Sequence, residues 1–338
     1  MVSMKDISAV CGVSIATVSK ALNDHSDIGE DTKEYIKQTA KEMGYSPNSA
    51  AKALKTHRTF SLGVLFVDDA SSGLKHDYFT NVLDSFKRTS EEKGYDITFF
   101  NCCKTRRGRM SYLEHSRYRG FDGVVIACVN FYDPEVEELA RSNIPLVTID
   151  HVFNNRISIM SDNVKGLSDL ITYIYEMGHR KIAYIHGAYS AVTQSRLSGF
   201  YRTALELGLK VPDEYICEAA YRDSQKAYEM TERLLELRQP PTCICYADDF
   251  SAFGGMNAIK ERGMKIPEDI SIAGYDGIRI ARHIEPQLTT LKQDTESLGR
   301  LAAERLINLV EEPKTTLIEQ IVVEGEVFPG KSVKRLQI

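Results

Sequence analysis

Charged and polar residues break every apolar run of this 338-residue chain well short of the ~18 residues a membrane span needs. The opening MVSMKDIS lacks the apolar stretch of a signal peptide. A cytoplasmic protein with no membrane partner is therefore expected. C-x-x-C pairs and His-containing ligand spacings are missing too. The seven cysteines (Cys11, Cys102, Cys103, Cys128, Cys217, Cys243 and Cys245) are odd in number, and many lie in apolar strand-like runs. They read as reduced structural thiols rather than metal ligands or disulfides. Also absent are G-x-x-x-x-G-K-S/T, G-x-G-x-x-G after a strand, G-x-S-x-G and H-E-x-x-H. No metal or cofactor is expected, and the chain does not read as an enzyme.

Acid is locally scarce. The net charge is −5, yet residues 1–60 hold eight Lys+Arg against seven Asp+Glu, while the remainder holds 34 against 40. Between Met43 and Val67 there is no acid, and Lys52, Lys55 and Arg58 lie there. A basic strip on an acidic body fits a small nucleic-acid-binding head rather than a globally basic binder.

What is present begins with residues 14–23, Ser-Ile-Ala-Thr-Val-Ser-Lys-Ala-Leu-Asn. A short amphipathic segment, 4–10, and a turn with Gly12 precede them. Ser3 can cap the first helix, with Asp6 as its capping-box partner, and Ser14 can cap the second. Val18 and Leu22, spaced i, i+4, would face inward and leave Ile15, Ala16, Ser19 and Lys20 outside. A third helix is predicted from about Glu30 to Met43, stopped by Gly44. Two short helices joined by a glycine-bearing turn make a helix-turn-helix, whose second helix enters the DNA major groove. Pro47 then breaks the chain. Asn48 can cap a short Ala-rich helix, 49–55, too short to be stable alone in water.

From Ser61 strands and helices alternate. Strands are predicted at 62–67, 96–101, 123–128, 146–149 and 157–160, then at 181–186, 215–218, 242–246 and 270–275. Helices are predicted near 79–93, 108–118, 133–142, 163–177, 195–207, 224–238 and 249–262, with a last helix at 294–311 and strands near 318–328. Continuous apolar strands in βα alternation mean parallel sheets covered on both faces. Two such series predict two similar lobes. Ligands of open α/β sheets bind beyond the carboxyl ends of the strands, so a cleft between the lobes is the place for one.

The segments V-S-M-K-D-I-S-x-x-C-G-V-S-x-A-T-V-S-K-A-L-N and G-Y-S-P-N-S-A-A-K-A-L resemble the DNA head and hinge of the lactose repressor (LacI/GalR) family. Further matches are E-K-G-Y-D (92–96), F-D-G-V-V (121–125), M-G-H-R-K-I-A (177–183), S-R-L-S-G-F (195–200), K-I-P-E-D-I-S-I-A-G-Y-D (265–276) and P-Q-L-T-T-L-K-Q-D (286–294). The resemblance covers essentially the whole chain. It implies an α/β protein with a three-helix helix-turn-helix head (1–46), a hinge helix and linker (47–59) and a two-lobed periplasmic-binding-protein-like body (60–330). The first lobe would take about 60–160 plus 294–318, and the second about 161–293 plus 319–330, leaving 331–338 as a short tail. It also implies a homodimeric repressor that binds near-palindromic operator DNA and answers to a small molecule. The tail is too short for a tetramer-forming heptad helix, so a dimer is expected.

By the same resemblance Ile15, Ala16 and Lys20 fall on base-reading positions. Ser14, Thr17, Ser19 and Asn23 fall on positions that contact phosphates or nearby bases, and Tyr45 and Asn48 also belong to the DNA-binding set. Leu54 falls where a leucine wedges a minor-groove step. Lys20 stands where Arg is commoner and lacks the bidentate fork to guanine. Asp27 near a phosphate would repel it. In the cleft the corresponding positions are Tyr78, Phe79, Asp150, Arg196, Tyr221, Asp248 and Asp276, with Gln293 on the crossover side. Their chemistry suits a neutral sugar: carboxylates accept from vicinal hydroxyls, a guanidinium donates a fork, and aromatic faces pack on pyranose C–H groups. Three Asp and one Arg make a poor phosphate site. His151 could add a donor, while Asp248 could instead cap the next helix. The alternative is a corepressor-dependent regulator with a non-sugar effector such as a nucleobase.

Overall fold

The computed structural model describes residues 2–46, 58–67, 74, 77–101, 103–105 and 108–337. The hinge positions Asn48 and Leu54 lie outside the described residues. The chain divides into two compact units, Met1–Thr59 and Phe60–Ile338.

The first unit is a three-helix head: α1 (Met4–Cys11), α2 (Ile15–Leu22) and α3 (Glu30–Glu42). Ser3 and Asp6 form the reciprocal capping box that starts α1. Gly12, at φ 68°, takes the left-handed turn a side chain would resist, and Ser14 caps α2 by accepting from the Thr17 amide at 3.0 Å. Ile7, Val18, Ala21, Ile36 and Ala40 close the core. Ala21, rather than Leu22, joins Val18 in full burial.

The second unit carries two six-stranded sheets. Its strands are β1 (Ser61–Phe66), β2 (Asp96–Phe100), β3 (Cys103–Thr105), β4 (Gly108–Met110), β5 (Gly123–Ala127), β6 (Leu146–Ile149) and β7 (Ile157–Ser161). There follow β8 (Ile182–His186), β9 (Ile216–Glu218), β10 (Cys243–Tyr246), β11 (Ser271–Asp276), β12 (Thr289–Lys292), β13 (Gln320–Val323) and β14 (Glu326–Phe328). The first sheet runs β13-β7-β6-β5-β1-β2 and the second β14-β12-β11-β10-β8-β9. All pairings within both are parallel except β12 with β14. The central strands β5, β6 and β10 are buried throughout, as near-continuous Val/Ile/Ala/Cys runs require when helices cover both faces.

Three expectations change. Residues 319–330 do not belong wholly to the second lobe: Gln320–Val323 pairs with β7 in the first sheet, and only Glu326–Phe328 joins the second. Nor are residues 331–337 a free tail. Ser332 and Val333 are buried, Ser332 Oγ donates to the Ile272 carbonyl (2.7 Å) and accepts from the Thr289 amide (2.8 Å), and the Leu336 amide donates to Met177. The helix expected from 108 begins only at Tyr112, because Gly108–Met110 is a strand paired antiparallel with Cys103–Thr105 and Ser111 with Glu114 supplies the capping box. The helix Thr295–Glu311, reached directly from β12, packs on Asp77–Glu92 so closely that a Cβ on Gly299 would sit 2.1 Å from the Val82 carbonyl oxygen. The chain thus passes between the lobes after β7, β12 and β13.

Candidate functional site

In the head, α2 presents Ile15 (49% exposed), Ala16 and Lys20 at its surface. Ser14 Oγ also shares a 2.9 Å hydrogen bond with Thr17 Oγ1, so both hydroxyls are engaged in starting the helix. Asn23 ends it, its Nδ2 donating to the Ser19 carbonyl at 2.6 Å. Tyr45 is half-buried against the head core. Lys20 Nζ is paired with Asp27, and Lys37 with Asp24. Asp27 thus acts first on Lys20, and the Lys20 hydrogen bond holds its carboxyl below the usual range.

In the body, a cavity of about 470 Å³ opens between the lobes. It is lined by Tyr78, Phe79 and Asp150 from the first lobe, and by Arg196, Tyr221, Asp276 and Gln293 from the second lobe and its crossover. Four non-glycine residues of its wall have positive φ: Cys128 (52°), Asp150 (59°), Arg222 (59°) and Asp276 (104°). Such backbone costs of order 1–3 kcal/mol per residue and collects at ligand sites, where the surrounding fold imposes it. Here the four lie in the wall of one cavity.

The polar wall is built in two halves. Asp150 accepts from Tyr78 Oη at 2.6 Å and from the Ser161 amide at 3.1 Å. Burial pushes its carboxyl up, and the same burial, with Asp150 beside it, keeps the Tyr78 phenol protonated. Arg196, 3% exposed, donates from Nε to Asn163 Oδ1 (2.8 Å) and from Nη1 to the Ala247 carbonyl (2.7 Å). Its guanidinium lies 3.6 Å over the Tyr275 ring, and Nη2 is 3.9 Å from Asp276 Oδ1. Gln293 Nε2 donates to Asp276 at 2.7 Å. Gln293 Oε1 is buried and accepts no hydrogen bond among the described residues, an arrangement a hydroxyl donor would relieve. Burial, opposed by Arg196 and assisted by Asp248, pushes the Asp276 carboxyl up to about 7. Tyr221 Oη bonds to Thr193 Oγ1 at 2.9 Å, and Gly187 makes room for its ring, which a Cβ there would meet at 2.3 Å.

Asp248 does not line the cavity. It caps the helix Asp249–Glu261, accepting from the Ser251 amide and hydroxyl and from the Arg222 amide at 2.7, 2.9 and 2.8 Å. Its part is to hold the strained Arg222 backbone. Asp249, fully buried, accepts from Thr290 Oγ1 (2.6 Å) and the Ile278 amide (2.8 Å), which anchors the loop after Asp276.

Two features of the wall escaped the sequence reading. One is Arg222, whose guanidinium lies 4.6 Å over Phe250 and reaches across the cleft to Asp77 at 3.4 Å. It follows Tyr221 in the segment after β9, where the strand-end rule points, but no motif singles it out. The other is an aromatic group around His151, a residue the sequence offered only as a donor. His151 stacks on Phe131 (centroids 4.1 Å, 7°), with Phe153 at 4.6 Å and Tyr132 at 6.4 Å. Burial lowers the His151 pKa, which favours a neutral ring. Among the described residues no cluster of His, Cys, Asp or Glu could hold a metal ion, and no helix is long and apolar enough to cross a membrane.

Comparison with known proteins agrees with this arrangement. Residues 3–48 match the bacterial regulatory proteins of the lacI family, and residues 171–333 match a periplasmic binding protein-like domain. A probable HTH-type transcriptional repressor, ExuR of Bacillus subtilis (strain 168), is 30% identical over 99% of both chains. The HTH-type transcriptional repressor PurR of Escherichia coli (O1:K1 / APEC) is 28% identical over 96% of both. Among solved structures, the lac repressor dimer bound to operator and the anti-inducer ONPF superposes with a TM-score of 0.83 at 22% identity, covering 98% of this chain and 99% of that one. A transcriptional regulator CelR–cellobiose complex gives 0.71 at 23%, over 98% and 100%. With its capped helix-turn-helix and its two parallel-sheet lobes, the chain belongs to the lacI family of bacterial regulatory proteins and is a DNA-binding transcriptional repressor with an effector-binding body, not an enzyme.

Proposed function

We propose that the protein is a cytoplasmic, homodimeric repressor of a near-palindromic operator, controlled by a small sugar bound between its lobes. The observation that carries the effector reading is the wall of buried, mutually held polar groups around a 470 Å³ cavity. Asp150 and Asp276 supply acceptors for hydroxyls, Gln293 an unused acceptor, and Tyr78, Phe79 and Tyr221 ring surface. The CelR neighbour, whose complex contains cellobiose, supports a sugar.

On DNA, Ile15 and Ala16 would pack on thymine methyls and Lys20 would donate to a base acceptor. Ser14, Thr17, Ser19, Asn23 and Tyr45 would position the head, and the hinge would add Asn48 and the Leu54 wedge. Control follows from linkage. A ligand that binds one lobe arrangement better shifts the population toward it, by no more than its differential affinity.

A nucleobase corepressor is the second reading, favoured by the stacked His151–Phe131 pair in the wall. Operator gel shifts of the full chain with sugars and with purine bases decide between them. Release by a sugar supports the first reading, and tighter binding with a base supports the second. Operator affinity unchanged by every glycoside and every base overturns both.

A further inference from the structure

The cavity wall is chemically divided. One part is the polar set of Arg196, Asp276 and Gln293, hydrogen-bonded or close to one another, together with Asp150 held by Tyr78. The other is the aromatic set Phe131, Tyr132 and His151, joined by Asn130, with Tyr189 of the opposite lobe also in the cavity wall. Both sets line the same cavity, so a ligand ring held by the polar set has the aromatic set beside it.

Resting on the effector reading above, we propose that the aromatic set is a second subsite for a neutral six-membered ring with an apolar face, so that the effector is a two-ring glycoside rather than a monosaccharide. Aromatic side chains bind such rings through dispersion and C–H contacts with their faces, and stacked or edge-on geometry adds to simple burial. His151 and Asn130 add polar atoms but no formal charge when the imidazole is neutral, which disfavours an ionic substituent. Tyr132 (65% exposed) and Tyr189 (75%) have area left to bury on a second ring.

The test is calorimetric titration of the full chain with matched methyl glycosides, 4-nitrophenyl glycosides and disaccharides that share the same first sugar. Two-ring ligands should bind roughly tenfold or more tighter than the methyl glycoside. Phe131→Leu and Tyr132→Ala should erase that preference while leaving methyl glycoside affinity unchanged. Tyr132 is exposed, so its variant keeps the test valid even where Phe131→Leu unfolds the lobe. Equal affinity of methyl and two-ring glycosides in the wild type overturns the subsite but leaves the effector reading intact. Absence of binding by every glycoside overturns that reading and the subsite with it. The two-ring arms then separate the sources: preference for disaccharides identifies a sugar second ring, and preference for nitrophenyl glycosides an aryl one.

Discussion

Asp276→Asn should remove part of the protein's pH dependence. Burial lifts this carboxyl from 3.8 to about 7 in the folded chain, with Asp248 adding to the rise and Arg196 opposing it. A carboxylate raised on folding binds more protons in the native state than in the unfolded one between those two values. Its stabilising contribution is therefore complete only at low pH and is lost as pH climbs from about 4 to about 7. At about 1.4 kcal/mol per pH unit, the full loss approaches ~4 kcal/mol, of which roughly 2–3 kcal/mol falls between about pH 5 and 8.5. The asparagine keeps an acceptor for Gln293 Nε2 but carries no charge, at the expense of the 3.9 Å contact to Arg196. Absolute stability thus mixes a gain and a loss, and the slope isolates the titration. Relief of Asp249, whose carboxyl Asp276 also raises, has the same sign. Urea denaturation of both proteins at the two pH values measures it. Wild type should lose roughly 2–3 kcal/mol relative to the variant on going to the higher pH. Parallel profiles, or a wild type that gains on the variant as pH rises, would refute the argument.

Three further outcomes follow from the same geometry. Arg222→Gln and Asp77→Asn should each change effector-dependent operator release by the same small factor, within about 1 kcal/mol for a pair half open to solvent. The double variant should add nothing beyond either, and additive effects in gel shifts would dismiss an interlobe role for the pair. Asp27→Asn should strengthen non-operator DNA binding roughly two- to fivefold and steepen its salt dependence, because Lys20 is released to a phosphate; an unchanged slope in a filter-binding titration contradicts this. Gly187→Ala should weaken effector binding and destabilise the body by about 1–3 kcal/mol, since its Cβ would meet the Tyr221 ring; wild-type melting and titration curves would show that the ring has room to move.

Much of the fold was legible because it is written locally. Ser3, Gly12 and Ser14 mark the head through capping and a left-handed turn, which depend on a few neighbouring residues. The β5, β6 and β10 segments announce themselves as continuous apolar runs. The start of the helix at Tyr112 was misread locally, while the other two misreadings concern partners distant in sequence. Gln320–Val323 has an ordinary strand composition, and only pairing with β7 assigns it to the first lobe. Lys331–Leu336 lacks any periodicity, yet Ser332 is pinned between residues 272 and 289.

The site divides along the same line. The resemblance carried by the sequence motifs nominated Tyr78, Phe79, Asp150, Arg196, Tyr221, Asp276 and Gln293, all of which line one cavity. The sequence by itself determined a head whose surface helix offers Ile15, Ala16 and Lys20. Only the tertiary structure decided that Asp248 also holds the Arg222 amide, that Arg222 crosses to Asp77, and that His151 lies flat on Phe131. Capping and strand character depend on neighbours along the chain. Charge, protonation and ring stacking depend on what the fold brings within a few ångströms and removes from water, and that no local pattern records.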